Sequence, residues 1–138
     1  MAVLNQLAGT FLLDLPVHNY GGSTLAENAA VILDTANPAS SSGASGVVLP
    51  ASDVTPFGFL QSAIPAGKSG IVRVYGVSLA NPTVGVTFAP NAPLMTDATG
   101  AVLAQTAAKY QIGIAITGVT TAVAGDKVLV LLDRAKNA

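Results

Sequence analysis

Cysteine is absent from this chain of 138 residues, and so is tryptophan. Without cysteine there is no disulfide framework, no thiolate nucleophile and no thiolate metal site, and the working redox compartment leaves no mark in the sequence. Histidine occurs once, as His18 beside Asn19 and Tyr20. Any Ser-His-Asp arrangement would have to be built on it, in a stretch that reads as surface or interface. Charge is scarce: Asp, Glu, Lys and Arg make up 9% of the residues, against roughly 25% in typical soluble domains. The six cations are scattered, so no basic footprint exists to neutralise phosphates, and this argues against nucleic-acid binding. Long apolar runs are missing too. The longest apolar-looking stretch, 112–125, is broken by Gly113, Thr117, Gly118, Thr120 and Thr121, far short of the roughly 18 residues of a membrane helix. No positively charged region precedes the first apolar stretch, so no secretory signal is expected.

What is present is 51% hydrophobic residues, mostly small aliphatics. A monomer with so few charges would be poorly soluble. Much of the surface is therefore expected to be covered by further copies of the chain or by a partner.

From residue 29 onward the signals are β. Runs rich in Val, Ile and Thr are punctuated every few residues by Gly, Pro, Asn or Asp. The order of these runs occurs twice. Residues 30–34, 46–49, 56–60, 66–68 and 71–74 are matched in order by 93–97, 100–103, 111–115, 124–126 and 128–131. Each set reads strand, turn, strand, an apolar-Gly-apolar strand, an Ala-Gly turn and a last strand. Internal repeats set architecture. The expected fold is all-β, a small barrel or β-tulip-like domain of two pseudo-repeated units, about 29–80 and 90–133. Residues 1–28 precede it as an N-terminal arm. Within that arm Leu4, Leu7, Phe11 and Leu15 recur at three to four residues, which suits one face of a helix, while Gly9, Thr10 and Pro16 argue for an extended segment. The Ser/Gly-rich stretch 36–46 is the main length difference between the copies and reads as an exposed flexible insertion.

Chemistry-bearing motifs fail on inspection. Ala66-Gly67-Lys68-Ser69 resembles the end of a phosphate-binding loop, but the position that needs the first glycine is Ser62, and a strand follows where a helix is required. Gly21-Gly22-Ser23-Thr24 has Leu25 where a nucleophile elbow needs glycine. The seven acids are dispersed and form no Asp-x-Asp-x-Asp loop, so no metal site is expected. Asp34 and Asp97 fall at matching points of the two copies, where each reads as a hairpin turn residue and not as one of a catalytic pair. No catalytic residue and no cofactor are assigned. The candidate interface residues are Leu4, Leu7, Phe11 and Leu13 in the arm, which is expected to pack on a neighbour, and Arg73, which alternates with apolar residues in Val-Arg-Val-Tyr and faces solvent or an adjoining subunit.

The runs 92–103, 111–115 and 124–132 together resemble the small decoration, or cement, proteins of tailed-bacteriophage capsids, which show a Leu-x-x-Asp hairpin, an apolar-Gly-apolar-Ala strand and a final Ala-Gly-Asp strand. The resemblance covers about 90–133 directly and 30–75 through the repeat, and leaves 1–28 uncovered. It implies a non-enzymatic protein, made in the host cytoplasm, that coats the outer surface of a capsid. It further implies a homo-oligomer, commonly a trimer, that bridges major capsid protein subunits and uses no nucleic acid or membrane. The competing expectation is a receptor- or glycan-binding β-module of a fibre or spike, which the aromatic content of 5% supports poorly.

Overall fold

The computed structural model describes residues 12–38, 44–51, 55–106 and 109–134. These form ten strands and no helix: β1 (Leu13–His18), β2 (Ala30–Leu33), β3 (Ser45–Val48), β4 (Gly58–Leu60), β5 (Ser69–Tyr75), β6 (Val77–Ala80), β7 (Pro93–Thr96), β8 (Val102–Ala104), β9 (Gly113–Ala115) and β10 (Val128–Leu132). The alternation that makes them strands is visible in burial. In β5, Val72 and Val74 are buried while Ile71 and Tyr75 are exposed. In β10, Val128, Val130 and Leu132 are buried and Leu131 is exposed. Successive side chains on a strand point to opposite faces, so one face enters the core.

The first five strands close a barrel in the order β1-β3-β2-β4-β5. β1 is the closing stave. It pairs antiparallel with β5 from Leu13–Tyr75 to His18–Ser69 and parallel with β3 at Val17–Ser45 and His18–Gly46. The last five strands form a sheet in the order β6-β10-β9-β7-β8. Strand by strand the neighbours are the same in both units, and so is the register. Leu60 lies opposite Val72 as Ala115 lies opposite Val130. Ala30 lies opposite Phe59 as Pro93 lies opposite Ile114. Val17 lies opposite Gly70 as Ala80 lies opposite Val128. Where β1 meets β3, the second unit has the single parallel bridge Pro82–Val102. Even the turn residues Asn28 and Asn91, both at positive φ, hold matching places.

Gly58 and Gly113 open β4 and β9 at equivalent positions, and both are buried. A Cβ on Gly58 would stand 2.2 Å from the carbonyl oxygen of Arg73, and one on Gly113 would stand 2.4 Å from that of Leu131. The apolar-Gly-apolar pattern thus marks the point where two backbones approach too closely for any side chain.

Two cores result. Val17, Val31, Val47, Leu60, Ile64 and Val72 are among those that fill the barrel. The second core is built from Leu94, Val102, Ile112, Ala115, Val128 and Val130, and it also takes in Ala30 and Phe59 from the first unit. Neighbours on β4 alternate: Leu60 points into its own barrel and Phe59 into the other unit's core. Polar bonds follow the same seam. The backbone N–H of Ala30 donates to the Gly100 carbonyl at 2.8 Å. Gln61 Nε2 donates to Ser78 Oγ at 3.0 Å, and Asn81 Nδ2 donates to the Glu27 carbonyl at 2.9 Å.

Two boundaries differ from the sequence reading. Residues 13–18 are a stave of the barrel and not part of an arm, because the period that matters is two: Leu15 and Val17 turn inward, and Pro16 lies just short of the pairing with β3, which begins at Val17. The units also begin a strand earlier than the copies at 29–80 and 90–133. β1 leads the first, and β6, at 77–80, leads the second.

Truncating Phe59 to alanine would empty the crossing point of the two units. Phe59→Ala is expected to lower stability by about 3–5 kcal/mol. Gly58→Ala is expected to cost about 1–3 kcal/mol, since the obstructing atom is backbone and cannot rotate away. The urea midpoint of the purified chain measures both.

Candidate docking surface

Asp97, Asp34 and His18 have partners of their own. Asp97 accepts from the backbone N–H of Thr99 at 2.8 Å and of Ala101 at 3.1 Å, from Thr99 Oγ1 at 2.6 Å and from Thr83 Oγ1 at 2.7 Å. Burial opposes its ionisation, but these donors outweigh burial and hold its pKa below the ordinary carboxylate value. Asp34 plays the corresponding part in the first unit, accepting from the Ala36 N–H at 3.0 Å and from Asn37 Nδ2 at 2.8 Å. Both are turn residues whose carboxylates accept from their own loops, and Asp97 accepts from Thr83 as well. His18 Nδ1 lies 2.8 Å from Ser69 Oγ, and its ring tilts against Tyr20 with centroids 4.4 Å apart. No carboxylate orients that imidazole among the described residues, so the pair lacks the third member of a triad. Also among the described residues, no group of three or more His, Cys, Asp or Glu gathers to hold a metal ion.

Of the candidate interface residues, Leu4, Leu7 and Phe11 lie outside the described residues. Leu13 is 50% exposed at the start of β1, opposite Tyr75. Arg73 has a partner within its own chain. Its Nε donates to Asp14 Oδ1 at 2.8 Å and its Nη2 to Oδ2 at 3.0 Å, while Nη1 donates to the Val77 carbonyl at 3.0 Å. The hydrogen bond from Arg73 holds the Asp14 carboxyl below its ordinary value, and Asp14 in turn raises the guanidinium. Asp14 is exposed and Arg73 only part-covered, so screening by solvent leaves the pair a small share of stability.

Beside this pair, where the units join, runs a groove of about 710 Å³ lined by Leu12, Tyr75, Val77 and Leu131 together with Arg73 and Arg134. Arg134 donates to the carbonyls of Phe57 and Val74, and loss of solvent lowers its pKa. It also lines a second cavity of about 590 Å³ with Ile32, Val48 and Phe57. The groove continues onto the outer face of the second sheet. There Leu79 is 46% exposed opposite Leu129, and Leu131 is 42% exposed between Val77 and Ile114. Sequence reasoning missed this face. Its signal was present in Val-Leu-Val-Leu-Leu of β10, apolar on both sides, a pattern that belongs to a strand covered on both faces.

The distinctive surface among the described residues is this apolar groove and face. The profile of the phage cement proteins matches residues 16–132. The chain belongs to the phage cement protein family. The match starts inside the segment that the sequence resemblance left uncovered, in β1, in keeping with that strand's place in the barrel. Among solved structures, the chain is similar to the N-terminal base of the head fibre gp8.5 of bacteriophage phi29, with a TM-score of 0.66 and 12% identity, covering 91% of this chain and 99% of that one. At that identity the likeness is one of fold. No curated protein matches the sequence. The cement protein is thus a structural, virion-associated protein of a phage, all-β in fold.

The Asp97 turn has a definite pH signature. Its folded pKa is depressed, so its contribution is complete above the unfolded value of about 3.9 and fades as pH falls through the lower folded value. Asp97→Ala is expected to cost about 1.5–3 kcal/mol at pH 7, the range for hydrogen bonds to a charged group. The gap from the parent chain should shrink below about pH 4. Urea unfolding of both chains at pH 7 and near pH 2.5 checks this; a gap that does not change with pH would assign the cost to turn geometry alone.

Proposed function

We propose that this cement protein binds the outer surface of its capsid and stabilises it by bridging neighbouring major capsid protein subunits. It acts as a homo-oligomer, a trimer placed at three-fold or quasi-three-fold positions. The observation that carries the reading is the family match across 16–132. The structure supports it in kind: several polar side chains are spent on turns, and the exposed Leu12, Tyr75, Leu79 and Leu131 lie at the groove and sheet face, with other exposed apolar side chains elsewhere on the surface. Leu4, Leu7, Phe11 and Leu13 are the proposed arm contacts, to capsid or neighbour. On this reading the protein is no enzyme, needs no cofactor, and engages neither nucleic acid nor membrane; it is made in the host cytoplasm and resides on the head.

One second reading has an observation in its favour. The structural neighbour is the base of a head fibre, which is compatible with a module that carries or forms a receptor- or glycan-binding appendage. The exposed rings available for sugar stacking are few, Tyr20 and Tyr75 on separate loops and strands.

Mixing the purified chain with expanded empty heads of its own phage separates the two. Co-sedimentation that saturates at a stoichiometry of icosahedral sites, with heads that withstand higher temperature, is the expected outcome. A chain that ignores heads and binds glycans or host envelopes would replace the cement reading with the appendage reading.

A further inference from the structure

Each unit ends, beyond its paired strands, in a tip of two loops built on one plan. The isolated bridge Leu25–Ile64 joins the loops of the first tip, and Phe88–Val119 joins those of the second. The spacing from Val17 to Leu25 equals that from Ala80 to Phe88, and Val17 and Ala80 are themselves equivalent in register. Val84 therefore stands where the first unit has Gly21, and Pro82 where it has Asn19. The first tip is tied down by that asparagine. Asn19 is buried, its Nδ2 donates to the carbonyls of Ser23 at 2.8 Å and Ile64 at 2.9 Å, and its own carbonyl accepts from the Gly67 N–H at 2.8 Å. Pro82 has no side-chain amide to take that part.

The second tip is longer and is held by its backbone instead. Val128 follows Val119 by nine positions where Gly70 follows Ile64 by six. Within the added length Ala122 is buried and zips the two loops together. The Gly85 N–H donates to its carbonyl at 2.7 Å, and its own N–H donates to the Val86 carbonyl at 2.9 Å. Thr121 beside it has a φ of 45° and donates its N–H to Thr87 Oγ1 at 2.8 Å. A β-branched residue at positive φ is strained, and such strain persists only where the surroundings hold it. The outcome of this construction is that Val84 and Val123 stand on either side of the Gly85–Ala122 hydrogen bond, 67% and 59% exposed. They are the two most exposed large hydrophobic side chains among the described residues.

The chemistry of the tip describes its partner. Stretches 83–90 and 116–125 contain no charged side chain. The charges that border them are engaged, Asp126 with the Val123 N–H and Lys127 with Asn81. The complementary surface is therefore an uncharged, apolar recess. Two short loops fall well short of the roughly 800 Å² that each partner buries in a stable complex of two chains. A tip of this size serves a partner that the chain also touches elsewhere, as on a shell of repeated subunits, where small contacts add through their effective concentration. Position agrees with this. The tip lies at the opposite end of β6 and β10 from the groove, so it offers the second, separate surface that a bridging protein needs. Knobs fixed in advance by backbone bonds also lose little freedom on docking.

We propose that the tip of the second unit seats on a major capsid protein subunit, with Val84 and Val123 entering an uncharged apolar recess of the shell. This names a surface for the capsid binding stated above and rests on that reading.

Because the chain has no cysteine, a single introduced thiol reports the contact. Val123→Cys is compared with Lys68→Cys on the first unit's tip, each labelled with a maleimide free in solution and bound to expanded empty heads. The ratio of the Val123→Cys rate to the Lys68→Cys rate should fall about tenfold or more on heads. Val84→Asp combined with Val123→Asp should weaken head binding by about tenfold or more. Both positions are exposed, so this variant should keep the parent circular dichroism spectrum and urea midpoint. A labelling ratio that is the same on and off heads, or a double variant that binds heads as the parent does, would overturn the proposal and leave the capsid reading standing. Val123→Cys already protected in the free, oligomeric chain would assign the tip to a second copy and overturn it as well. A parent chain that ignores heads refutes the capsid reading itself, and this inference with it.

Discussion

Phe59 stands on a strand of three residues, and the residue beside it, Leu60, points the other way into the first barrel. The Phe59 ring is fully buried among the side chains of the second unit. A closed five-stranded barrel of this size can cover its own interior, but the second sheet meets its own far edge only at the Pro82–Val102 bridge. Its core is completed from outside, by Ala30 and Phe59, and the Ala30 N–H fixes the approach by bonding to Gly100. The two units are therefore not beads on a string. Removing the first would leave the second with an unfilled core, and the junction groove exists because this docking sets the angle between them.

Equivalent positions then diverge according to what covers them. Ala30 and Phe59 lie under the second unit, while their counterparts Pro93 and Ile114 face outward. Pro93 has no N–H to offer where Ala30 donates one, so the intrachain docking cannot simply repeat itself onto a further unit. That is a physical stop to open-ended head-to-tail growth, which an edge able to repeat its own pairing would invite. The same divergence appears at Val77 and Leu131, which stand in the second unit where the first has the Asp14–Arg73 ion pair.

Much of this was legible from local chemistry. Asp97 announced its turn because only a short acceptor side chain followed by a glycine satisfies that hairpin, and the bonds to Thr99 and Ala101 are the ones such a turn requires. Gly113 announced a close backbone approach through its place inside an apolar strand. The strand at 13–18 was hidden because Leu4, Leu7, Phe11 and Leu15 offer a helical period over the same stretch, and because a proline in a strand is ordinarily a mark against one. Only the closure of the barrel, a long-range pairing with β3 and β5, selects the period of two. Phe59 was hidden for a similar reason. A phenylalanine in a buried strand reads as its own barrel's core, and nothing local says that it crosses to another unit. The partner of Arg73 lies on β1, 59 residues away in the chain, so the same misreading of β1 concealed it.

The scarcity of charge has a physical reading in these terms. Several of the charged groups are committed: Asp14 to Arg73, Asp34 and Asp97 to their turns, Arg134 to two carbonyls, Lys127 to Asn81. What remains for a partner is a surface of few charges with aliphatic side chains such as Leu79, Val84, Val123 and Leu131 exposed on it. Such surface gives little long-range steering, since encounter rates rise with complementary charge fields that this chain does not have. It gives instead a contact insensitive to ionic strength, because there are few screened pairs to lose. On the proposed reading, with a capsid shell as partner, slow encounter is no handicap. The quantity that matters is residence, which the burial of apolar area and the number of simultaneous contacts determine. A two-unit chain that commits several of its few charges within itself and leaves aliphatic side chains exposed is suited to holding on rather than to finding.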